Sequence, residues 1–232
     1  MRTADRPSTV FDLGVYTVAD AARFARLDKA IARRWVFGYG PNRCYQELID
    51  PDIPRSSGPA VMSFVALTEL RLAAELYRMG LPAIRIRQAA ESLRDIAHPF
   101  AYQELRLRTD KQNVFVDYAD GAAHAVLQVS GLQRGNFVFE KIAEEFFLDV
   151  NFSSESRYAT SWSPREVDGL VTLDPRIKFG EPVIAETRIP TAAIREQIIL
   201  GVPTRDIADW YEIDPAQVDA ARRFEEAFPP AA

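Results

Sequence analysis

The stretch DPRIKFGEPVIAETRIPT, residues 174–191, combines three prolines and one glycine with a series of β-branched residues. A helical pattern, AAIREQIIL, follows it directly. Proline fixes its own backbone angle, and glycine permits turn conformations that other residues avoid. We therefore predict two short strands around a turn at Phe179-Gly180, with Thr191 capping the next helix.

The rest of the C-terminal third follows from this stretch. Gly201 ends the first helix, Pro203 precedes the pattern TRDIADWY, and Pro215 begins a last helix, AQVDAARRFEEAF. We predict that residues 163–232 form one domain, in which a strand pair precedes three helices in a helix-turn-helix-like arrangement.

A second helical pair is predicted near the N-terminus, in YTVADAARFARLDKAIARRWVFGYG, residues 16–40. Thr17 is placed to cap a helix that begins at Val18, and Asp28 to cap a helix that ends near Val36. Two short helices joined by a tight turn are the outline of a helix-turn-helix. We therefore predict that residues 1–60 form a DNA-binding domain.

The candidate DNA-binding residues carry positive charge or an aromatic ring. Arginine suits this role because its guanidinium group binds both phosphates and guanine edges. They are Arg26 in the turn, Lys29, Arg33 and Arg34 on the second helix, and Tyr39 and Arg43 in a wing. The alternative is that these arginines only solvate an amphipathic helix, and the pattern alone does not decide between the two.

The charge distribution favours the N-terminal third as the place where a nucleic acid binds. The net charge is −5, but residues 1–60 carry nine Lys/Arg against seven Asp/Glu. Residues 151–232 carry nine against fourteen. Neutralising phosphates requires local positive charge, which only the first third offers in excess.

We predict a mostly helical α+β protein, in which residues 61–162 form a central α+β domain that dimerises. Ser63 is placed to cap the helix FVALTELRLAAELYRM, and Pro82 begins another. ELRLRT with NVFVDY, and AVLQVS with FVFE, have the alternating pattern of β-hairpins, and a further strand pair is expected around residues 151–162. The first helix is apolar over so wide an arc that it needs cover from its own domain or from a second subunit. We predict a homodimer with this helix, or the neighbouring hairpins, in the interface.

Composition and motifs argue against several classes of protein. One cysteine excludes a disulfide framework, and no apolar run has the length of a membrane span or a signal peptide, so we expect a soluble cytoplasmic protein. The two histidines, His98 and His124, lie far apart without metal-ligand spacing. No phosphate-binding loop or catalytic motif appears, so we expect neither a cofactor nor a metal.

The N-terminal pattern resembles the DNA-binding start of MerR-type winged helix-turn-helix proteins. These begin with an aromatic-Thr pair and an Ala/Arg-rich helix, and their recognition helix ends in an Arg pair followed by an aromatic residue. Arg33, Arg34 and Trp35 match that ending. The resemblance spans about 25 residues and departs at Ala32, where the family has a leucine.

The C-terminal pattern resembles a prokaryotic domain family of unknown function that is classed with antitoxins. The resemblance covers residues 170–226 and departs at Glu186, where glycine is usual. The matching positions are Asp174, Pro175, Gly180, Pro182, Val183, Ile184, Thr187, Arg188, Ile189 and Pro190, and downstream Gly201, Ile207, Ala208, Tyr211 and Val218. A scaffolding role is expected for this motif, in which Arg188 braces the junction by binding backbone carbonyls or Asp174.

Together the two patterns resemble the longer VapB-type antitoxins of toxin–antitoxin pairs. The resemblance implies a PIN-fold ribonuclease toxin (VapC-like) as the partner, repression of the protein's own operon through operator DNA, and no enzymatic activity. Two alternatives stay open: a stand-alone MerR-like transcriptional regulator whose middle domain senses a small ligand, and an enzyme whose site the sequence does not reveal.

The resemblance also implies that the toxin binds toward the C-terminus, where a basic side chain reaches the acidic site of the nuclease. This chain offers Arg222 and Arg223 beside Phe224 and Phe228, and an aromatic anchor next to an arginine is a common hot-spot pairing. The alternative is that the two phenylalanines close the core of the C-terminal domain and the arginines are solvated.

Overall fold

A computed structural model describes residues 14–41, 46–53, 60–95, 106–109, 114–120, 123–128, 149–152 and 158–230. These residues form an α+β structure with seven α-helices and four small antiparallel sheets, which confirms the predicted class. Among them, no helix is long and apolar enough to cross a membrane.

The two N-terminal helices begin where the sequence predicts, and a short strand that was not predicted precedes them. They are β1 (Tyr16–Thr17), α1 (Val18–Phe24) and α2 (Lys29–Phe37). The Thr17 hydroxyl accepts a hydrogen bond from the Asp20 backbone N–H at 3.2 Å, and the Asp20 carboxylate accepts one from the Thr17 N–H at 3.1 Å. Asp28 caps α2, since its carboxylate accepts from the backbone N–H of Ala30 at 2.8 Å.

The central helices also match their predicted starts. β2 (Val61–Met62) pairs with β1, and Ser63 caps α3 (Phe64–Arg78) by accepting from the Ala66 N–H at 3.0 Å. After Pro82 comes α4 (Ala83–Asp95). Because most of α3 is buried within its own chain, its wide apolar arc already has the cover it needs. The proposed dimer interface therefore rests on the hairpins and not on this helix.

The described part of the hairpin region forms one three-stranded sheet, which contains one pairing that was not predicted. β3 (Arg106–Thr109) pairs with β4 (Val114–Asp120) as expected. However, β5 (Ala123–Gln128) pairs with β4 and so extends the first hairpin. Only two residues separate β4 from β5, a length typical of the tightest hairpins. The expected partner of β5, residues 137–140, lies outside the described residues.

The remaining strands are short pairs that lead into the last three helices. β6 (Val150–Phe152) pairs with β7 (Ala159–Trp162), and β8 (Val171–Thr172) with β9 (Val183–Ile184), both as predicted. The helices are α5 (Thr191–Ile199), α6 (Thr204–Tyr211) and α7 (Pro215–Ala227).

Two predicted roles in the opening stretch are wrong. Pro190 occupies the N-cap position of α5, and the Thr191 hydroxyl donates instead to the Glu225 carboxylate at 2.6 Å. Asp174 is held by Arg176, two residues along the chain, with Nε–Oδ1 and Nη2–Oδ2 distances of 2.9 and 2.5 Å. Arg188 lies exposed, so it is not the brace of this turn.

The hydrophobic core runs across the predicted domain boundaries. Phe24 of α1 contacts Trp162 of β7 and Phe224 of α7, with ring centroids 6.2 Å apart in both cases. Phe228 lies 5.3 Å from Trp162. The division of the chain into domains at residues 60 and 162 stays a prediction. The buried cluster contains residues from both the N-terminal and the C-terminal part of the chain.

We expect Glu186→Gly to stabilise the protein. Glu186 has φ 63°, a left-handed conformation that costs an L-residue roughly 1–2 kcal/mol, and glycine's greater freedom in the unfolded chain offsets part of that gain, leaving about 1 kcal/mol. Urea unfolding measures the change. The control is Glu181→Gly, an exposed residue at φ −59°, where glycine should destabilise by about 0.5–1 kcal/mol. Equal effects at both positions would contradict the argument.

Candidate nucleic-acid interface and its junction with the C-terminal helices

Helix α2 has one buried and one basic face. Ala32, Trp35 and Val36 are buried, and the Trp35 ring lies 5.6 Å from that of Tyr77 on α3. Lys29, Arg33 and Arg34 are exposed, with Arg34 opposite the buried side chains and Lys29 at their edge. The core therefore fixes which way the basic side chains point.

Aromatic rings support the two arginines of this basic face. The guanidinium of Arg33 lies 5.6 Å from the centre of the Phe37 ring, and that of Arg34 lies 5.8 Å from the Tyr39 ring. Both distances fall within the range of a cation–π contact, which limits side-chain freedom before any ligand binds. Tyr39 itself is exposed, and Arg43 lies outside the described residues.

Arg26, the remaining candidate, is engaged with the C-terminal part of the chain. It forms an ion pair with Glu166 at 2.6 Å and lies 4.4 Å from the centre of the Phe228 ring. Partial burial raises the pKa of Glu166, but hydrogen bonding to its own backbone and the Arg26 charge outweigh this and leave that pKa below its ordinary value. The pair is therefore fully charged at neutral pH and weakens as the pH falls through the lowered pKa.

A buried ion pair joins α1 to α7. Arg23 Nη2 lies 2.7 Å from Glu225 Oε2, and the two side chains are only 13% and 4% exposed. The second carboxylate oxygen of Glu225 accepts the hydrogen bond from Thr191, and Arg23 also donates to the Phe228 carbonyl. Both charges are thus hydrogen-bonded on several sides, as a buried pair requires.

Tyr16 connects the N-terminal strand to the turn at Gly180. Its hydroxyl donates to the Gly180 carbonyl at 2.9 Å, and the Val15 N–H donates to the Phe179 carbonyl at 3.1 Å. Burial, reinforced by Asp174 and Asp20, raises the pKa of Tyr16, so the phenol stays protonated. A Cβ on Gly180 would lie 1.9 Å from the Tyr16 hydroxyl, so this position accepts no larger residue without displacing the tyrosine.

A cleft of about 310 Å³ opens beside this junction. Its lining mixes charges of both signs: Arg23 and Glu225, which pair with each other, and Asp20, Lys178 and Glu181. Its volume lies near the lower end for small-molecule sites. Among the described residues, no group of three or more His, Cys, Asp or Glu side chains could hold a metal ion.

The predicted toxin-binding residues divide into two groups. Phe224 and Phe228 are buried, 0% and 2% exposed, so they close the core as the alternative interpretation held. Arg222 is exposed and paired with Asp219 and Glu226, and these two carboxylates raise its pKa. Arg223 donates to Asp168 at 3.2 Å and to the Glu166 carbonyl at 3.1 Å.

Sequence reasoning missed three charged residues of the junction: Arg23, Glu225 and Arg71. Arg71 lies 3.4 Å from the centre of the Trp162 ring, near Asp149, and burial lowers its pKa to about 10, so it remains charged at neutral pH. The available signal was the position of Arg71 inside the apolar arc of α3. A charge there demands a buried partner, but the sequence does not reveal which one.

The chain is similar to known proteins in one domain, in its sequence and in its fold. Residues 171–224 match the model of a domain family described as "Protein of unknown function (DUF433)". The chain is also similar to "Putative antitoxin VapB45" of Mycobacterium tuberculosis, with 28% identity over 221 residues, which is 90% of this chain and 92% of that protein. The crystal structure of Rv2018 from the same organism shares the fold, with a TM-score of 0.66 and 21% identity over 92% of this chain and 99% of that one.

We expect Gly180→Ala to destabilise the protein much more than Gly201→Ala. Both glycines have positive φ, 87° and 80°, but a Cβ at Gly201 meets nothing within 4 Å. Gly201→Ala should therefore lose about 1 kcal/mol from backbone strain alone. Gly180→Ala should lose about 1–3 kcal/mol more, because its methyl group displaces Tyr16. Thermal unfolding compares the two, and equal losses would show that the Tyr16 contact contributes nothing.

Proposed function

We propose that this chain is the antitoxin of a toxin–antitoxin pair. It binds and blocks a PIN-fold, VapC-like ribonuclease, binds operator DNA to repress its own operon, and has no catalytic activity. The similarity to a protein named as an antitoxin, extending over 90% of this chain, supports the class. The exposure of the three basic side chains of α2, Lys29, Arg33 and Arg34, is the observation that carries the DNA-binding part.

In this proposal α1 and α2 form the helix-turn-helix of a winged DNA-binding domain, residues 1–60. Helix α2 enters the major groove, with Lys29, Arg33 and Arg34 toward bases and phosphates. Tyr39 and Arg43, as part of the wing, contact the sugar-phosphate backbone of the DNA. Arg26 contacts a phosphate only after it leaves Glu166, so we assign it a smaller share of the affinity.

We further propose that the protein binds its operator as a homodimer. Two-fold proteins match the symmetric half-sites of operators, and the dimer sets their spacing. The central region, residues 61–162, supplies the contact through its β-hairpins, because α3 is covered within the chain.

For the toxin we propose contacts from Arg222 and Arg223 on α7. PIN-fold nucleases hold divalent metal in a cluster of carboxylates, and a guanidinium group complements such a site. Both arginines belong to networks on the surface of residues 163–232, the proposed toxin-binding domain. Phe224 and Phe228 act indirectly, by holding α7 in the core.

The cleft supports a second candidate function, a stand-alone regulator that senses a small ligand. It lies between α1 and the Gly180 turn and not in the central region. A ligand there would contact α1, which packs against α2. The neighbouring gene separates the two functions. A short reading frame for a nuclease favours the antitoxin, and its absence favours the regulator.

We expect Arg33→Ala/Arg34→Ala to weaken operator binding and to lower the salt dependence of that binding by about two units of slope, since each phosphate contact contributes about 0.9. Gel-shift titrations at two salt concentrations provide the measurement. The control is Arg188→Ala/Arg205→Ala, which removes the same charge from exposed positions in the acidic third. Unchanged affinity and slope in the α2 variant would place DNA binding elsewhere.

We expect Arg222→Glu/Arg223→Glu to lose neutralisation when the neighbouring nuclease is co-expressed. The reversed charges would face the carboxylates of the nuclease and repel them. Growth and co-purification are measured together, and circular dichroism checks that the variant folds. Glu181→Arg/Glu186→Arg is the control for a changed surface charge. Full rescue of growth with an intact complex would show that these arginines do not make the neutralising contact.

A further inference from the structure

The three most exposed large apolar side chains among the described residues lie in the C-terminal helices. Ile199 and Leu200, 65% and 75% exposed, end α5, and Trp210, 64% exposed, lies in the last turn of α6. Residues 201–203 are all that separates Leu200 from the start of α6. Large apolar groups that form one exposed patch are typical of an interaction site, and among these three Trp210 is the one that lies between charged residues on its own helix.

The packing of α6 explains why Trp210 points outward. Ile207 and Ala208 are the buried residues of this helix, which packs on α7. At 100° per residue the side away from Ile207 and Ala208 carries Arg205, Asp206, Asp209 and Trp210, and all four are exposed. Asp206 and Trp210 are four residues apart and therefore neighbours on that face. We name Arg205, Asp206, Asp209 and Trp210 the Trp210 surface.

The charge around this surface is acidic. Residues 195–214 contain five Asp/Glu against two Arg, and neither Asp206 nor Asp209 is buried. Such a surface repels the phosphates of DNA, so it is not a second DNA contact. It complements a partner that combines positive charge with an apolar or aromatic groove.

A ribonuclease has such a groove because its substrate requires one. Single-stranded RNA is bound by basic side chains that follow the phosphates and by flat surfaces on which bases stack. An exposed indole beside two carboxylates presents the same two features, a flat π surface next to negative charge. The chemistry of the Trp210 surface therefore resembles that of a short piece of single-stranded RNA.

We propose that the Trp210 surface binds the RNA-binding groove of the partner nuclease, with Trp210 in a base-stacking position and Asp206 and Asp209 in place of phosphates. This inference rests on the proposed function, and it specifies the means of inhibition, which is exclusion of substrate. It adds a contact to the one proposed for Arg222 and Arg223, which face the acidic metal site and not the basic groove.

The first test is the affinity for the nuclease encoded by the neighbouring gene, purified with its metal-binding carboxylates intact and kept inactive by removing its divalent metal with a chelator. Trp210→Ala should raise the Kd about 30-fold or more, the effect expected of an interface hot spot. The matched control is Ile84→Ala on α4, also exposed (52%), which should leave the Kd unchanged. Because Trp210 is exposed in the free chain, the Trp210→Ala variant should unfold at the same temperature as the wild-type chain.

The second test reverses the charge. Asp206→Lys/Asp209→Lys should weaken the complex at low salt and reduce its salt dependence, whereas Glu181→Lys/Glu186→Lys should change neither. A 2′-O-methyl RNA oligonucleotide, which the nuclease binds but does not cleave, should compete with this chain for the nuclease. A ternary complex of the three components would overturn the proposal.

The remaining outcomes distinguish a failure of this inference from a failure of the proposed function. If the wild-type chain binds no neighbouring nuclease, the proposed function fails and this inference fails with it. If the wild-type chain binds but Trp210→Ala binds equally well, only this inference is wrong. If Trp210→Ala halves the mass seen by light scattering and leaves the Kd unchanged, the surface joins two copies of this chain and the proposal is overturned.

Discussion

The buried ion pair between Arg23 and Glu225 holds together parts of the chain that are 202 residues apart in sequence. Removing one partner of such a pair leaves an uncompensated buried charge, at a cost of about 3–5 kcal/mol. The aromatic cluster around Phe24 surrounds the pair, and the Thr191 hydroxyl and the Phe228 carbonyl complete its hydrogen bonds. The helix pair α1–α2 is therefore positioned by the C-terminal helices, so the direction of the basic face of α2 depends on residues far along the chain.

The two faces proposed for function are joined through one residue. The Glu166 side chain holds Arg26 at 2.6 Å, and its backbone carbonyl accepts from Arg223 at 3.1 Å. The two contacts differ, since one is made by the Glu166 side chain and the other by its backbone. A ligand that withdraws Arg26 and one that withdraws Arg223 would nevertheless each remove a partner from this residue. Residues 174–191 contribute on the other side of the junction, where Gly180 leaves room for Tyr16.

Local patterns predicted the elements well, and long-range contacts were beyond them. Capping residues such as Thr17, Asp28 and Ser63 act within one turn of the chain, so their helices start where the sequence indicates. Thr191 failed as a cap because a carboxylate 34 residues away offers its hydroxyl a stronger partner. The pairing of β5 with β4 was not predicted, because the sequence does not show that the first hairpin continues into a third strand. The basic face of α2 was readable from helical spacing, but nothing local shows that Arg26 is already bound to Glu166.

Opposite charges on one chain allow two different classes of partner. The net charge of −5 would repel DNA if the field of the whole protein acted at α2. At physiological salt the Debye length is about 8 Å, so exposed charges act mainly on their near neighbours. The basic face of α2 and the acidic residues around Trp210 therefore present separate local fields. Under these conditions the sign of each face, and not the sign of the whole chain, decides which partner it binds.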